Sequence, residues 1–421
     1  MPQLCDEIQN FELNGNPRMV NLQESAELAS FRLEIRSFVA RHLPERVRDQ
    51  ARRGVPMSRS DQDLWELELV GRGWFVPHWP VQWGGLGMNP DFKMVLDEEL
   101  ARNDCPEANV FGTDMVGPML MRFGDEAQKH YFLPRTAGLQ IRWCQGYSEP
   151  NAGSDLAALQ TRAVRASDHY VVNGSKIWTS GAHYADWMFA LVRTGAESKP
   201  QEGISFLLID MKSPGITVQP VIGIHGWHMF NQVFFDNVWV PVVNRVAEEN
   251  AGWTVAKSVL ESERLKLSRV PENHRRLARV KHMAAQVYER GEPVARREWF
   301  KLRLAALEVR LMALEASVAQ FRRQAQGGAR LGPETGRLKL RGSQLIQDFE
   351  NLAVDVAGPD SLAYDRAAHF EGAPQAGGAG LLTPWFSATA SARRFISRGF
   401  TIAGGSSEIQ HNQLAKQVLG L

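Results

Sequence analysis

The spacing of apolar residues divides the chain into three zones, and the first zone is helical. In "AELASFRLEIRSFVARHL", steps of three and four connect Leu28, Phe31, Ile35, Phe38, Val39 and His42. Such spacing is typical of one face of an amphipathic helix. A Gly-, Pro- and Trp-rich connection, "GWFVPHWPVQWGGLGMNP", follows, and "DFKMVLDEELARNDCP" resumes the helical pattern. We therefore expect an N-terminal helical domain over residues 25–140.

The second zone, residues 141–243, consists of short β-rich runs. "WMFALVRT", "ISFLLIDM", "GITVQPVIGI" and "NQVFFDNVWV" have the length and the apolar content of strands, and turns rather than helices join them. Within "HYVVNGSKIWTSG", Asn173-Gly174 predicts a hairpin turn, because both residues adopt positive φ readily. The zone therefore predicts an antiparallel β domain.

The third zone, residues 244–421, is helical again. Long runs such as "ARREWFKLRLAALEVRLMALEASVAQFRRQ" are interrupted by the loops "GGARLGPETG" and "EGAPQAGGAGLLTP". At the other end, residues 1–24 carry early acids and no apolar core run, which indicates an N-terminal extension and no signal peptide. The expected fold class is α+β and mostly helical: a helical domain, a β domain and a helical bundle, in that order.

Composition and charge exclude several classes of protein. The 421 residues are 44% apolar and 23% charged, and 48 Lys plus Arg balance 47 Asp plus Glu. The formal net charge of +1 gives no overall attraction to nucleic acid or to an anionic membrane. No apolar run approaches the ~20 residues of a membrane span. We expect a globular protein of two or three domains.

Cysteine and histidine positions argue against disulfides and metal sites. Cys5, Cys105 and Cys144 are far apart and odd in number, which favours reduced thiols in a cytoplasmic compartment. The run "HGWH", from His225 to His228, has metal-like spacing but no Cys or acidic companions. Because such a loop is more often structural, we expect no metal site.

Three segments rich in small and hydroxyl residues have the composition of a ligand site. "YSEPNAGSDL", at positions 147–156, suits a loop that turns backbone N–H groups toward a ligand. In "NGSKIWTSGAHYADW", at positions 173–187, Trp178 can pack on a flat ring and Ser180 can hydrogen-bond its edge. "TIAGGSSEIQ", at positions 401–410, adds two glycines and two serines. A loop and a core tryptophan would explain either of the first two alone, but the three together favour a site.

These segments give the chain a resemblance to the acyl-CoA dehydrogenase family. It extends from "RGWFVPHWP" through "EENAGW" to "GGSSEIQHNQLAKQVLGL". Within the family, "QEGISFLLIDMKSPGITVQP" and "RLKLRGSQLIQ" resemble large subunits of pimeloyl-CoA dehydrogenase. The resemblance implies an N-terminal helical domain, a central β domain and a C-terminal four-helix bundle. It also implies FAD, held between the last two domains and a neighbouring subunit.

The resemblance implies roles for residues of the middle domain. The implied flavin-ring contacts are Tyr147, Ser148, Trp178 and Ser180. The first two would act through backbone and side chain, and the last two would cover the ring and approach its reactive nitrogen. Ser154 would lie near the thioester arm of the acyl-CoA substrate.

The terminal segment has an implied role with one group missing. By resemblance it packs along the flavin and its phosphate arm, and the residues in the places of contacts are Gly404, Ser406 and Glu408. One branch of the family has a glutamate in place of Gly404 that removes the α-proton of the substrate. Gly404 can offer only its backbone N–H, which would meet the thioester oxygen where enolate charge develops.

The reaction needs a base from elsewhere, because the α-hydrogen of a thioester is only weakly acidic. In another branch the glutamate comes from a C-terminal helix, in a Glu-Arg pair that matches Glu263-Arg264. Helical spacing supports the match independently: the stripe that contains Glu263 also contains Trp253, Ala256, Leu260 and Leu267. Glu261 lies about 160° from it at ~100° per residue. We predict Glu263 as the base and Arg264 as a substrate contact; a structural glutamate paired with an arginine is the alternative.

The implied partners are an acyl-CoA substrate, an electron-transfer flavoprotein and another subunit. Homotetrameric members carry Arg-x-x-Phe-Gly and Gly-Gly-x-Gly segments that reach a neighbour's FAD. Here the two regions read "ARREWFKLRL" and "DVAGPDS", and only Gly358 of the glycine run remains. We therefore expect a second, related subunit in a heterotetramer, with a homo-oligomer as the alternative.

The predicted activity is FAD-dependent α,β-dehydrogenation of an acyl-CoA thioester to the trans-2-enoyl-CoA. Two other functions remain open: a non-catalytic subunit of a heteromeric dehydrogenase, and a related flavin monooxygenase. Retention of Glu263 beside an intact ring site, Trp178 and Ser180, argues against the first. The acyl-CoA-type loop "SEPNAGSD" argues against the second.

Overall fold

Helices, then a sheet, then further helices follow one another along the chain, as the hydrophobic pattern predicts. The computed structural model describes residues 25–196, 199–262, 266–329, 331–364 and 384–421. Within these residues, the predicted α+β and mostly helical class is confirmed.

The N-terminal region is built from helices and the loops between them. Its helices are α1 (Ala26–His42), α2 (Glu45–Arg53), α3 (Arg59–Arg72), α4 (Pro90–Arg102), α5 (Gly117–Phe123) and α6 (Glu126–Ala137). Ser25 caps α1 by accepting a hydrogen bond from the Leu28 N–H. The predicted apolar stripe of α1 is buried at Phe31, Ile35, Phe38 and Val39. Its last member, His42, is exposed.

The middle region is an eight-stranded sheet. Its strands are β1 (Trp143–Gly146), β2 (Arg162–Ala166), β3 (His169–Lys176), β4 (Trp187–Arg193), β5 (Ile204–Asp210), β6 (Ile216–Ile222), β7 (His228–Pro241) and β8 (Arg245–Val246). Their order in space is β6-β7-β3-β2-β4-β5-β8, with β1 beside β4. Most neighbours are antiparallel, as predicted, but β1 runs parallel to β4 and one residue pair joins β2 to β4 in parallel.

The predicted hairpin turn at Asn173-Gly174 is wrong. The turn between β2 and β3 lies at Ser167-Asp168, where Ser167 has a φ of 59°. Asn173 and Gly174 lie inside β3, at a shift in its register against β7 that marks a bulge. A Cβ on Gly174 would lie 2.7 Å from the Thr161 Cα. The glycine is therefore required by a close approach of backbone, and the local sequence carries the same signal for a turn and for a bulge.

The C-terminal region packs around one central helix. Its helices are α7 (Gly252–Ser262), α8 (Val270–Gln286), α9 (Glu298–Gln326), α10 (Gly336–Ala357), α11 (Trp385–Ala388), α12 (Ala390–Ser397) and α13 (Ser407–Leu414). A short ribbon, β9 (Tyr288–Glu289) and β10 (Glu292–Pro293), connects α8 to α9. Helices α8, α9 and α12 all pack on α10, which gives the four-helix arrangement implied by the resemblance.

The hydrophobic cores fix the start of the candidate site. One core joins the N-terminal helices to one face of the sheet, and it includes Trp143, Tyr147 and Phe189. A separate core fills the helical bundle, and a third covers the other face of the sheet. Because Tyr147 belongs to the first core, the loop that follows it starts from a rigid point.

The described part of the chain can be searched for membrane-spanning helices, cysteine thiols and metal-binding clusters. None of its helices combines the length and the hydropathy that a bilayer crossing requires. Cys105 and Cys144 are buried free thiols, and Cys5 lies outside the described residues. No cluster of three or more metal-ligating side chains occurs among the residues described.

Candidate active site

The loop after β1 and the end of β3 lie side by side. Ile177 donates its backbone N–H to the Ser148 carbonyl at 2.9 Å. Lys176 donates from Nζ to the Tyr147 carbonyl at 3.2 Å. The sequence-predicted ring contacts in these two segments, Tyr147, Ser148, Trp178 and Ser180, therefore come together at one place.

Trp178 projects from this strand end. It is 57% exposed, and its φ of 59° lies in the left-handed region that bulky residues avoid. The ring meets Phe230 edge-on, with 5.8 Å between centroids. Residues in such strained backbone cluster at functional sites. An exposed indole on strained backbone is not a core tryptophan, so the alternative that Trp178 belongs to the hydrophobic core is wrong.

Two hydroxyl groups beside Trp178 are available to a ligand. Ser148 and Ser180 are half-buried, and neither hydroxyl has a hydrogen-bond partner among the described residues. An open aromatic face with two such hydroxyls fits a flat heteroaromatic ring with polar edges, as the flavin of FAD is. Ser154, the predicted substrate contact, is exposed further along the same loop.

The ring of Tyr147 packs in the core. Its ring is buried in the core and meets Phe189 and Phe206 edge-on, at centroid distances of 5.8 and 6.3 Å. At the strand end that carries Trp178, the backbone carbonyl of Tyr147 accepts the hydrogen bond from Lys176. The flavin contact of Tyr147 stays a prediction.

A buried ion pair, which sequence reasoning missed, holds the two segments together. Lys176 Nζ lies 2.7 Å from Glu149 Oε1, and the lysine is fully buried. Glu149 also accepts backbone N–H groups from Gln160 at 2.6 Å and from Thr161 at 2.9 Å. One carboxylate thus ties the loop, the start of β2 and the end of β3 to each other.

The pKa values of this ion pair are consistent with both groups being charged at neutral pH. Burial raises the pKa of the Glu149 carboxyl, but the Lys176 ammonium and the hydrogen bonds from Thr161 and Gln160 outweigh it, so the pKa lies below its usual value. Burial lowers the pKa of Lys176 to about 8, against the opposing effect of Glu149. The signal in the sequence was a lysine inside a β-rich run, because a charge in a strand that becomes buried needs a counter-charge.

The terminal segment forms a second group of predicted contacts. Gly404 and Gly405 have φ values of 70° and 85°, and Lys339 of α10 donates from Nζ to the Gly405 carbonyl at 2.6 Å. The Ser406 hydroxyl accepts from the Ile409 N–H at 3.3 Å and so caps α13. Hydrogen bonds from the Glu408 backbone N–H and from the Ser406 hydroxyl lower the pKa of the exposed Glu408 carboxyl.

The terminal segment has its own hydrogen bonds within the helical bundle. Among the described residues, no hydrogen bond or ion pair joins the terminal segment to the strand end at Trp178. The terminal segment is instead anchored on α10, through Lys339.

The predicted base, Glu263, and its neighbour Arg264 lie outside the described residues. The chain resumes at Lys266, which forms an ion pair with Asp114 of the N-terminal region. The next residue, Leu267, lies beside Gly404: a Cβ built on Gly404 would be 3.2 Å from Leu267 Cδ2. The segment just after Glu263 therefore contacts the terminal glycines.

Comparison with known proteins places this architecture in a family. The acyl-CoA dehydrogenase N-terminal domain matches residues 25–139, the middle domain matches residues 144–238, and the C-terminal domain matches residues 250–419. The chain belongs to the acyl-CoA dehydrogenase family, whose members are flavoprotein oxidoreductases acting on CH–CH bonds. The resemblance inferred from the sequence is thereby confirmed.

Several curated relatives are similar over most of the chain. Acyl-CoA dehydrogenase IpdE1 of Mycobacterium tuberculosis is 32% identical over 406 residues, covering 94% of this chain and 98% of the relative. Acyl-CoA dehydrogenase FadE34 of the same organism is 30% identical over 406 residues, which are 94% of this chain and 49% of the relative.

Solved structures share the fold. The Tcur3481-Tcur3483 steroid ACAD has a TM-score of 0.81 at 27% identity, covering 95% of this chain and 99% of that chain. The ChsE4-ChsE5 complex from Mycobacterium tuberculosis has a TM-score of 0.77 at 28% identity, with 95% and 99% covered. Both of these similar structures are named as pairs of proteins.

Proposed function

We propose that this chain catalyses FAD-dependent dehydrogenation of an acyl-CoA thioester to the trans-2-enoyl-CoA, with electrons passed to an electron-transfer flavoprotein. The observation that carries the proposal is the strand end at Trp178, where an exposed indole on left-handed backbone stands beside free hydroxyls. Membership of the family supports the thioester substrate and the flavin.

The residues of the chain divide the chemistry between them. FAD, when bound, supplies the acceptor for the hydride that leaves the β-carbon. Trp178, Ser148 and Ser180 hold the flavin ring. Glu263 takes the α-proton, because removal of the weakly acidic α-hydrogen of a thioester needs a positioned base. Gly404 offers a backbone N–H where negative charge develops on the thioester oxygen.

A non-catalytic subunit is the second candidate function, and one observation favours it: a glycine stands at position 404, where one branch of the family has its base. Titration of the purified flavoprotein with acyl-CoA thioesters, without oxygen, distinguishes the two candidates. The panel contains straight-chain, dicarboxylic and steroid side-chain thioesters, the last because one similar structure is a steroid ACAD. Bleaching of the flavin by any of them supports catalysis, and no bleaching across the panel would favour the non-catalytic subunit.

Trp178→Ala is expected to weaken FAD binding while the chain stays folded. The indole is mostly exposed, so its removal costs little core packing. Stacking of an aromatic side chain on a heteroaromatic ring is worth roughly 1–3 kcal/mol, which corresponds to about five- to 150-fold in affinity. The measurements are flavin occupancy and thermal unfolding. Unchanged occupancy would remove Trp178 from the flavin site.

The proposal includes a second subunit, and a groove in the helical bundle supports it. The groove has a volume of about 530 Å³ and lies between α9 and the end of α10, lined in part by Trp299 and Gly358. Its arginine, Arg303, lies 2.7 Å from Asp355, so the two charges offset each other. A pyrophosphate needs uncompensated positive charge. The region of Gly358 is therefore poorly suited to hold the adenylate arm of FAD from a copy of this chain.

The outer face of α9 has the composition of a subunit contact. It exposes Leu302 and Val309 to 65% and 64%, together with Met312 and the alanines at 305, 306, 313 and 316. The spacing of three and four places these residues on one stripe of a 29-residue helix. Alanines allow a second helix to approach closely, and contiguous exposed apolar patches are typical of protein interfaces. The stripe fits a helix of another subunit.

When this chain is produced alone, we expect well under one FAD per chain. The flavin ring has its contacts within the chain, but the pyrophosphate would lack charge-assisted hydrogen bonds that are worth about 1.5–3 kcal/mol each. Flavin-to-protein ratio and molar mass are the measurements, with co-expression of a related subunit as the matched comparison. A stable homotetramer with one tightly held FAD per chain would contradict the heteromer.

A further inference from the structure

The backbone that carries Trp178 is kinked by one extra residue. From Gly174 to Lys176, strand β3 pairs regularly with β7, and Lys176 lies opposite Val233. Beyond that point Trp178 takes its left-handed conformation, and pairing resumes where Thr179 donates its N–H to the Asn231 carbonyl at 3.0 Å. At this kink the indole of Trp178 is exposed, and the carbonyl of Thr179 does not face a backbone N–H of β7 as it would in a regular antiparallel pair.

One side chain of β7 replaces the hydrogen bond that the kink displaces. Asn231 is fully buried, and its Nδ2 donates to the Thr179 carbonyl at 3.0 Å. In a regular antiparallel pair a backbone N–H would fill that place. Asn231 thus holds both polar backbone groups of Thr179, one through its own carbonyl and one through its amide.

The orientation of the Asn231 amide is itself fixed. The Thr179 carbonyl can only accept, so the amide nitrogen must face it. On the other side, Oδ1 accepts from His228 Nε2 at 2.7 Å, and Nδ2 lies 3.0 Å from His183 Nδ1. The two imidazoles stack at 4.0 Å between centroids. Rotation of the amide by 180° would place Oδ1 against the Thr179 carbonyl oxygen, and it would place Nδ2 against the donating Nε2 of His228.

We infer that Asn231 is a positioning residue for the flavin site: it fixes Thr179 and thereby holds Trp178 in the conformation that exposes its ring. The inference rests on the proposed function, and it assigns Asn231 no contact with the flavin. Left-handed backbone is unfavourable for a bulky residue and persists only where the surroundings impose it. The hydrogen bonds of Asn231 supply that constraint.

Asn231→Ala tests the inference through the FAD affinity of the reconstituted apoprotein and the visible spectrum of bound flavin. We expect the dissociation constant to rise roughly ten- to hundredfold, because a buried carbonyl loses its donor and the kink relaxes. Asn173→Ala is the matched control. The Asn173 side chain also bridges β3 and β7, through Asn237 at 3.2 Å, but at the other bulge. Its FAD affinity and spectrum should match those of the unmodified protein.

Two more variants separate positioning from folding. His228→Ala leaves Asn231 in place but removes the donor to its Oδ1, so a smaller loss of affinity is expected in a folded chain. Trp178→Gly relieves the strain and should keep or raise the thermal midpoint of the apoprotein while FAD affinity falls. If Asn231→Ala fails to fold, the FAD affinity and flavin spectrum of His228→Ala test the inference in its place.

Specific outcomes would overturn the inference. FAD affinity and flavin spectrum unchanged in folded Asn231→Ala, or in folded His228→Ala where it decides, would do so. Equal losses in Asn231→Ala and in the control Asn173→Ala would also do so, because both would then report only general loosening of the sheet. An unmodified chain that takes up no FAD, with or without a related subunit, would overturn the proposed function as well.

Discussion

Glu263→Gln is expected to leave FAD bound and to abolish bleaching of the flavin by substrate. The amide has the size of the carboxylate but cannot accept the α-proton, and the hydride cannot leave the β-carbon while that proton stays in place. Loss of a general base costs about 10²–10⁴-fold in rate. The measurement is the rate of flavin reduction by a saturating acyl-CoA in a single turnover, with flavin occupancy recorded on the same sample.

Glu261→Gln is the matched control for this prediction. Both glutamates belong to the segment "LESERL", but helical spacing turns Glu261 about 160° away from the stripe that carries Glu263. Normal reduction in the control and none in Glu263→Gln would assign the base. Near-normal reduction in Glu263→Gln would instead favour a structural glutamate and would assign the base to another group.

The order of the zones could be predicted from the sequence, because each zone has a single dominant period. In α1 the residues Phe31, Ile35 and Phe38 recur at helical spacing and are buried together. The pattern needs no knowledge of what packs against the helix, because burial of one face selects the same residues whatever the partner is. Local patterns of this kind determine element type before tertiary contacts are known.

The prediction of a hairpin turn at Asn173-Gly174 failed because the residue that decides between a turn and a bulge is distant in the sequence. An Asn-Gly pair reports that the backbone tolerates positive φ, and a turn and a bulge both need it. Only the approach of Thr161 to Gly174 distinguishes them, and Thr161 lies in another segment of the chain. The deciding contact is therefore non-local.

The residues of the candidate site also differ in whether a local motif or a distant contact determines their role. Trp178, Ser148 and Ser180 could be proposed from the sequence because they lie in short motifs with a recognisable composition, and their flavin contacts stay predictions. Asn231 and the Glu149–Lys176 pair were missed because their roles depend on which residues of other strands they meet. A serine at position 406 is compatible both with a cofactor contact and with a helix cap. In the structure its hydroxyl accepts the hydrogen bond that caps α13.

Lys176→Met is expected to lower the free energy of unfolding by about 3–5 kcal/mol, the usual effect of removing one partner from a buried ion pair. Lys176 is fully buried, so its loss leaves the Glu149 carboxylate, whose side chain is only 8% exposed, without its ion-pair partner. The loop at Ser148 then loses its tie to the end of β3, and FAD occupancy should fall with stability. The measurement is urea unfolding of the apoprotein.

Lys199→Met is the control, because Lys199 pairs with Glu202 at 3.2 Å on the surface, where both side chains are mostly exposed. Removing one partner of such a pair costs about 0–1 kcal/mol. The double variant Lys176→Met with Glu149→Gln should recover part of the loss, since the uncompensated charge is gone and the amide still accepts one backbone N–H. A cost for Lys176→Met no larger than that of Lys199→Met would contradict the role of this ion pair as the support of the strand end that carries Trp178.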